Sequence, residues 1–238
     1  MSSDRLYFRQ LLSGRDFAAG DPIATQMRNF AYLIGDRESG DAVIVDPAYR
    51  AGDLVDALES DGMRLTGVLA THHHPDHVGG SMMGYTLAGV AELLDRVQVP
   101  VHVNQQELTW VSQVTGIATS ELTPHPHGDV LEVGAVRVEL LHTPGHTPGS
   151  QCFLVDGDRL VAGDTLFLDG CGRTDFPGGD VDEMYRSLQY LAGMKGDPTV
   201  YPGHWYSADP SAPLSTVKET NYVFRPTNLE QWRAMLGG

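Results

Sequence analysis

A heptapeptide, THHHPDH, occupies residues 71–77 and sharply narrows the folds open to this chain. It follows the apolar stretch 67–70, so its histidines and aspartate emerge together from the end of a predicted strand. Imidazole and carboxylate are the ligands that borderline divalent ions prefer. Because residues two apart in extended chain point the same way, His72 and His74 can face one ion while His73 faces away. The heptapeptide therefore predicts a metal site at a strand end.

The second half of the heptapeptide extends this prediction. Pro75 fixes its own φ and keeps His74 extended. Asp76 and His77 then come at the start of a predicted helix, aimed at a point beside the first ion. We predict helix over residues 78–96, after an opening at the glycine pair GG.

Three later segments each place one potential ligand directly after a predicted strand. They are TPGHTPG with His146, GDT with Asp164, and PGH with His204. A rigid scaffold commonly presents functional groups in this way, from strand ends in tight turns. The three segments therefore predict a site that gathers residues far apart in the sequence.

Length and charge limit the class of protein. The 238 residues are 41% apolar and are most simply one domain, 1–238, ending in a short helical segment at about 214–236. A net charge of −15 argues against nucleic acid as a partner, since an acidic surface repels phosphate. We expect no signal peptide, membrane span or disulfide framework, which favours a cytoplasmic protein without a membrane partner.

The order of apolar patterns predicts a layered α/β fold with two sheets between helices. Apolar or alternating stretches predict strands at 7–12, 30–35, 42–46, 67–70, 99–103, 151–155, 159–162 and 199–201, with a hairpin at 130–141. Helical spacing is found at 54–63, 107–114, 182–191 and 214–236, the last in two pieces. Residues 119–128 are predicted to form a polar loop.

The ligand series HxHxDH, PGH, GD and GH resembles that of the metallo-β-lactamase superfamily, in the same order and over nearly the whole chain. The resemblance implies an αββα sandwich, in which two mixed β-sheets are flanked by helices and metals lie at one edge of the sheets. It implies a first metal bound by His72, His74 and His146, a second bound by Asp76, His77 and His204, and a bridge at Asp164.

The resemblance also implies chemistry. Two divalent ions, zinc first with iron or manganese as alternatives, would share a bridging hydroxide at neutral pH. Asp76, His77 and Asp164 are the expected catalytic residues. Asp46 resembles the acidic residue that orients a ligand from behind. An aspartate before proline is equally typical of a turn, so both interpretations of Asp46 stay open.

Two branches of the superfamily fit these motifs. Glyoxalase II enzymes (hydroxyacylglutathione hydrolases) share the full ligand set with THHHxDH and hydrolyse thioesters. Persulfide dioxygenases, which use O2 and a single iron, share GCGRTDF at residues 170–176. A facial triad for that iron could be drawn from His72, His146 and Asp164, which are also hydrolase ligands. The ligand motifs alone therefore do not choose between the branches.

We expect a hydrolase that cleaves a thioester of a low-molecular-weight thiol, with an iron-dependent persulfide dioxygenase as the alternative. Arg173 and Tyr206 are candidate substrate contacts. Both branches usually carry an acidic residue just after the last histidine, where this chain has Trp205. The expected partner is a small thiol-derived molecule, and the protein is expected to be a monomer or a homodimer.

Overall fold

The computed structural model describes residues 5–236. In chain order the strands are β1 (Leu6–Leu12), β2 (Phe30–Asp36), β3 (Asp41–Val45), β4 (Arg64–Leu69), β5 (Gly80–Met82), β6 (Tyr85–Leu87), β7 (Val101–Asn104), β8 (Leu122–His125), β9 (Val130–Val133), β10 (Val136–His142), β11 (Gln151–Val155), β12 (Arg159–Gly163), β13 (Thr199–Pro202) and β14 (Ala212–Pro213). The α-helices are α1 (Pro22–Met27), α2 (Ala51–Ser60), α3 (Pro75–Val78), α4 (Val90–Arg96), α5 (Leu108–Thr115), α6 (Val181–Ala192), α7 (Leu214–Thr220) and α8 (Leu229–Leu236).

Two mixed sheets of six strands each form the body of the fold. The first has the order β1-β2-β3-β4-β7-β8 and the second β14-β13-β12-β11-β10-β9. The first sheet is antiparallel from β1 to β3 and parallel from β3 to β8. In the second, only β12 and β13 run parallel. Strands β10, β12 and β13 consequently share one direction, so their carboxyl ends lie at the same edge.

Three apolar layers hold the sheets and helices together. The inner layer joins the facing sides of the sheets, through residues such as Ile34 and Phe153. One outer layer packs the first sheet against α2, α4 and α5. The other packs the second sheet against α6, α7 and α8. The predicted α/β sandwich of two mixed sheets between helices is therefore confirmed.

Helix α6 illustrates how local sequence supports this packing. The Asp180 side chain caps the helix by accepting hydrogen bonds from the backbone amides of Asp182 and Glu183. Met184, Leu188 and Leu191 lie on one face and are fully buried in the outer layer. Burying a side chain of this kind contributes about 1.5–3 kcal/mol to stability.

The helix predicted over residues 78–96 is wrong in its first half. Helix α3 ends at Val78, the β5–β6 hairpin follows, and helix resumes only at Val90. Met83 and Gly84 at the hairpin tip have φ of 51° and 82°, values that a right-handed helix excludes. The apolar residues between 82 and 94 have helical spacing, so their pattern predicts helix where the hairpin turn lies.

The polar loop predicted over residues 119–128 contains a strand instead. Strand β8 pairs with β7 in parallel at the edge of the first sheet. Pro124 is tolerated there because an edge strand leaves one side of its backbone unpaired. In residues 5–236, none of the helices combines the length and apolar character that crossing a membrane requires.

Candidate metal centre

Five strand ends deliver polar side chains to one edge of the sandwich. Strands β3 and β4 of the first sheet are followed by Asp46 and by the heptapeptide at 71–77. Strands β10, β12 and β13 of the second sheet lead into His146, Asp164 and His204. The side chains meet because these carboxyl ends face each other across the two sheets. The seven ligand residues predicted from sequence are thereby brought together.

The first group consists of three histidines whose ring nitrogens converge. Nε2 of His72 lies 3.1 Å from Nδ1 of His74, which lies 3.0 Å from Nε2 of His146. A proton on one of these nitrogens can satisfy one neighbour only, so lone pairs are left facing each other. A divalent cation at their centre would satisfy all three. The first group therefore fits a metal.

The second group consists of Asp76, His77 and His204. Nε2 of His77 lies 3.3 Å from Nε2 of His204 and 3.7 Å from Oδ2 of Asp76. The same carboxylate oxygen lies 3.4 Å from Nε2 of His204. All three side chains are buried, and this adjoining donor set is also suited to a divalent ion.

Asp164 lies between the two groups. Its Oδ1 is 3.4 Å from Nε2 of His77, and its Oδ2 is 3.6 Å from Nε2 of His146 and 3.4 Å from Nε2 of His204. Oδ1 is buried and has no hydrogen-bond partner in the described part of the chain. An unpartnered buried carboxylate oxygen is costly unless a cation completes it. This oxygen is the clearest sign that the residues fit a metal pair.

Acceptors behind the ligands fix which ring nitrogen carries the proton in three histidines. In each case Nδ1 donates outward, so Nε2 is the ring nitrogen that faces the site. The pairs are His77 with Oδ2 of Asp46 (2.9 Å), His146 with the carbonyl of Arg173 (2.6 Å) and His204 with the carbonyl of Met27 (2.9 Å). The rings are consequently oriented for binding before a metal arrives.

Asp46 also joins β3 to the heptapeptide. It accepts hydrogen bonds from the backbone amide of Thr71 at 2.8 Å and from the Thr71 hydroxyl at 2.6 Å, in addition to the His77 ring. Its φ is 53°, an unfavourable value for a non-glycine residue. The backbone strain is offset by these three contacts, so Asp46 both turns the chain and orients the His77 ring.

Electrostatics divide the histidines into two kinds. Burial lowers the pKa of His72 and of His146, and it lowers the pKa of His74 to about 4. Burial also acts on His77, but the carboxylates of Asp164 and Asp76 outweigh it and raise the pKa to about 10. The pKa of His204 is raised by the same two carboxylates, again against burial.

Metal binding should therefore release protons from the second group. At pH 7 the first group is neutral, whereas His77, with a pKa of about 10, carries a proton that a metal must displace. The apparent affinity of the second group should rise with pH until about 10, where His77 loses its proton unaided. Calorimetric titration of metal-free protein in buffers of different ionisation enthalpy measures the protons released. Proton-neutral binding of both ions at pH 7 would contradict the assignment.

His73 points away from both groups. Its Nδ1 donates to Oε1 of Glu107 at 2.5 Å, and its ring stacks on Trp110 with centroids 4.9 Å apart. This is the orientation that alternation along an extended chain predicts. The ring therefore supports the loop and does not face a metal.

His73→Ala should leave metal content nearly unchanged. The substitution removes a buried hydrogen bond to Glu107, so we expect a loss of about 1–3 kcal/mol in stability. His74→Ala is the matched control, since it removes a first-group nitrogen two residues away and should deplete metal. Elemental analysis of both variants decides the matter: metal loss from the His73 variant would show that its ring does bind.

Sequence patterns gave no sign of Asn29. Its Nδ2 lies 3.1 Å from Oδ2 of Asp76, 3.3 Å from Nε2 of His77 and 3.4 Å from Nε2 of His204. Its Oδ1 accepts a hydrogen bond from the Tyr49 hydroxyl at 2.7 Å. The amide thus donates toward the second group, from a buried position that Tyr49 holds in place.

Glu107 was also missed, although it links the two loops that carry the first group. The buried carboxylate accepts from the backbone amide and ring of His73, from the Thr147 hydroxyl at 2.8 Å and from the Gly149 amide at 2.7 Å. It lies just before α5, where one acidic residue carries no distinctive pattern. Its importance becomes visible only when the loops are seen together.

A cavity of about 840 Å³ opens onto the ligand groups. Tyr206 lines it with its ring stacked on His204 at 4.7 Å, and Arg173 lines it with its guanidinium over the ring of Phe176 at 4.5 Å. The two residues predicted to contact substrate thus border the cavity. Trp205 points elsewhere, with its ring packed against Phe30.

Comparisons with known proteins agree with this architecture. The family model described as "Metallo-beta-lactamase superfamily" matches residues 24–204. A protein named hydroxyacylglutathione hydrolase from Rhodopseudomonas palustris (strain BisB5) is 37% identical over 209 residues, which cover 87% of this chain and 74% of that protein.

Two solved structures are similar over most of the chain. The crystal structure of ETHE1 from Myxococcus xanthus superimposes with a TM-score of 0.77 at 29% identity, covering 98% of this chain and 90% of that one. That of TTHA1623 in a di-iron-bound form gives 0.65 at 28% identity, covering 82% and 95%. The ligand groups, the fold and the family match lead to one conclusion: the chain belongs to the metallo-β-lactamase superfamily.

Proposed function

We propose that this protein is a metal-dependent hydrolase that cleaves a thioester of a low-molecular-weight thiol, as glyoxalase II does. The observation that carries the proposal is the pair of adjoining histidine–carboxylate groups, joined by Asp164, at the base of an open cavity. The relative named hydroxyacylglutathione hydrolase, 37% identical over most of this chain, supports the same reaction class.

Seven residues would hold two divalent ions: His72, His74, Asp76, His77, His146, Asp164 and His204. Zinc is the proposed metal, with iron or manganese as alternatives, and the di-iron form of a similar protein supports a pair of ions. Such ions lower the pKa of water from about 15.7 toward 7 and polarise a carbonyl oxygen. Both effects favour attack on a thioester.

The residues of the chain have distinct tasks in this reaction. Asp76, His77 and Asp164 surround the point where the two groups meet, so we propose that they contact the reacting atoms. Asp46 keeps the ring of His77 in the required tautomer. Water adds oxygen to the acyl carbon, the carbon–sulfur bond breaks, and the sulfur leaves as a thiolate that takes up a proton.

The net charge of −15 argues against nucleic acid as a partner, and we propose a small thiol-derived substrate. Arg173 and Tyr206 are proposed to contact that substrate at the mouth of the cavity. We propose a cytoplasmic monomer or homodimer without a membrane partner, in agreement with the paucity of cysteine.

An iron-dependent persulfide dioxygenase is the second candidate, because GCGRTDF at residues 170–176 resembles that branch and ETHE1 is a structural neighbour. The ligand groups do not choose between the two candidates, because the triad for a single iron is part of the same set. In that branch an acidic residue after the last histidine faces the arginine. Here Trp205 follows the histidine, and Arg173 pairs with Asp175 instead.

Thiol release from S-lactoylglutathione tests the hydrolase directly. The protein as purified should release thiol, lose the activity after chelation, and regain it when zinc is restored. His146→Ala should remain inactive after zinc is added back, because it lacks a first-group nitrogen. Chelated protein that retains full activity would refute a metal-dependent mechanism.

A further inference from the structure

One wall of the cavity is apolar and lies beside the first ligand group. We call it the hairpin wall, and its residues are Met82, Met83, Trp110, Val114 and Phe176. The ring of Phe176 lies 5.3 Å from the ring of His74 and 6.2 Å from that of His146. A group bound against this wall would therefore extend directly from the reacting centre.

The hairpin wall is held in place by strand pairing and by close packing against α5. Strands β5 and β6 pair with each other, and the hairpin sits against α5 so closely that a Cβ on Gly80 would come within 2.7 Å of the Val114 carbonyl oxygen. Met83 stands at the hairpin tip with 83% of its surface exposed. Exposed methionine and aromatic side chains at a cavity mouth are costly unless an apolar ligand covers them.

The cavity offers little to an anionic ligand at this wall. Arg173 is the sole lysine or arginine among the described residues that line it, and its guanidinium makes a bidentate pair with Asp175, at 2.9 and 2.6 Å. Asp169 adds negative charge to the lining. Charge and surface chemistry thus favour an uncharged, apolar group.

We infer that the hairpin wall binds the acyl group of the substrate, and that the preferred substrates are thioesters with an apolar acyl chain of several carbons. This inference rests on the proposed thioesterase function and names its substrate class. The cavity volume of about 840 Å³ is ample for such a chain together with part of the thiol.

A series of acyl chains on one carrier tests the inference. Acetyl, butyryl, hexanoyl and octanoyl thioesters of N-acetylcysteamine, an uncharged thiol, are compared by thiol release. Because each buried methylene contributes to binding, kcat/KM should rise by up to about fourfold per methylene until the wall is covered. S-lactoylglutathione and octanoylglutathione repeat the comparison on a second carrier, where the octanoyl ester should again be the better substrate.

Two variants test whether the hairpin wall causes the rise of kcat/KM with acyl-chain length. Met83→Gln should lower kcat/KM for the octanoyl ester about tenfold more than for the acetyl ester. Met235→Gln, in an exposed position on α8, is the matched control and should change neither. Both substituted side chains are at the surface, so the variants should fold.

The outcomes distinguish acyl binding at the hairpin wall from the thioesterase activity itself. Hydrolysis of thioesters with no gain from acyl length, or with equal loss for both esters in Met83→Gln, overturns the assignment of the wall but leaves the thioesterase intact. Failure to hydrolyse any thioester overturns the proposed function, and the acyl assignment with it.

Discussion

Asp164→Ala should abolish thioester turnover and deplete the protein of metal. Asp164 contacts both groups, with oxygens 3.4 to 3.6 Å from three histidine nitrogens. Burial raises the pKa of this carboxyl, but His204 and His77 outweigh it and lower the pKa far below its usual range. It is therefore an anion at every pH of interest, and its removal would leave two bound cations without a shared counter-charge. The loss should exceed the 10–100-fold typical of an outer-shell residue.

Two control variants show whether the loss comes from the negative charge at Asp164. Asp164→Asn keeps the shape and one oxygen but not the charge, so it should retain part of the metal and little activity. Asp169→Ala removes an exposed carboxylate from the same cavity lining and should retain both. Metal content is measured by elemental analysis and turnover by thiol release. Wild-type activity in Asp164→Ala would exclude Asp164 from the site.

Glu107→Ala should strongly destabilise the protein, although Glu107 is not one of the seven predicted ligands. The substitution leaves the amides of His73 and Gly149 and the hydroxyl of Thr147 without their buried acceptor. Breaking a buried charged network of this kind costs about 3–5 kcal/mol. For a chain of this size, that corresponds to a fall in Tm of roughly 6–20 °C. Metal affinity should fall about 10–100-fold, because both first-group loops lose their common support.

Thermal unfolding and metal titration measure the two effects of the Glu107 substitution. Glu219→Ala, which removes an exposed carboxylate from α7, is the control and should change neither quantity. Glu107→Gln keeps the side chain's shape and should recover part of the stability. A Glu107→Ala protein with unchanged Tm and metal affinity would show that the loops hold their positions without this residue.

The site was predictable where the ligands follow strands in short motifs. THHHPDH and PGH place their histidines in turns that local sequence defines, so the groups could be drawn before the fold was known. The sequence does not predict which ring nitrogen of His74 faces the other two histidines, because the choice between Nδ1 and Nε2 depends on the ring's surroundings. Asn29 and Glu107 were missed for a related reason: each is a single polar residue whose partners lie far away in sequence.

The fold was predictable in its layers and less so at its edges. The inner parts of two central strands, residues 42–45 of β3 and 67–69 of β4, are continuous apolar runs that leave little ambiguity. Apolar spacing predicts helix across the β5–β6 hairpin because the turn depends on positive φ at Met83 and Gly84, which the spacing does not reveal. The polar sequence of β8 predicts a loop because an edge strand needs only one row of partners.

Metal content of the protein purified without added metal, determined together with paired assays, tests the central claim most directly. One assay measures thiol release from S-lactoylglutathione, and the other measures O2 uptake with glutathione persulfide. We predict two divalent ions per chain, thiol release and no O2 uptake. A single iron per chain with O2 consumption and no thiol release would contradict the hydrolase and establish the dioxygenase in its place.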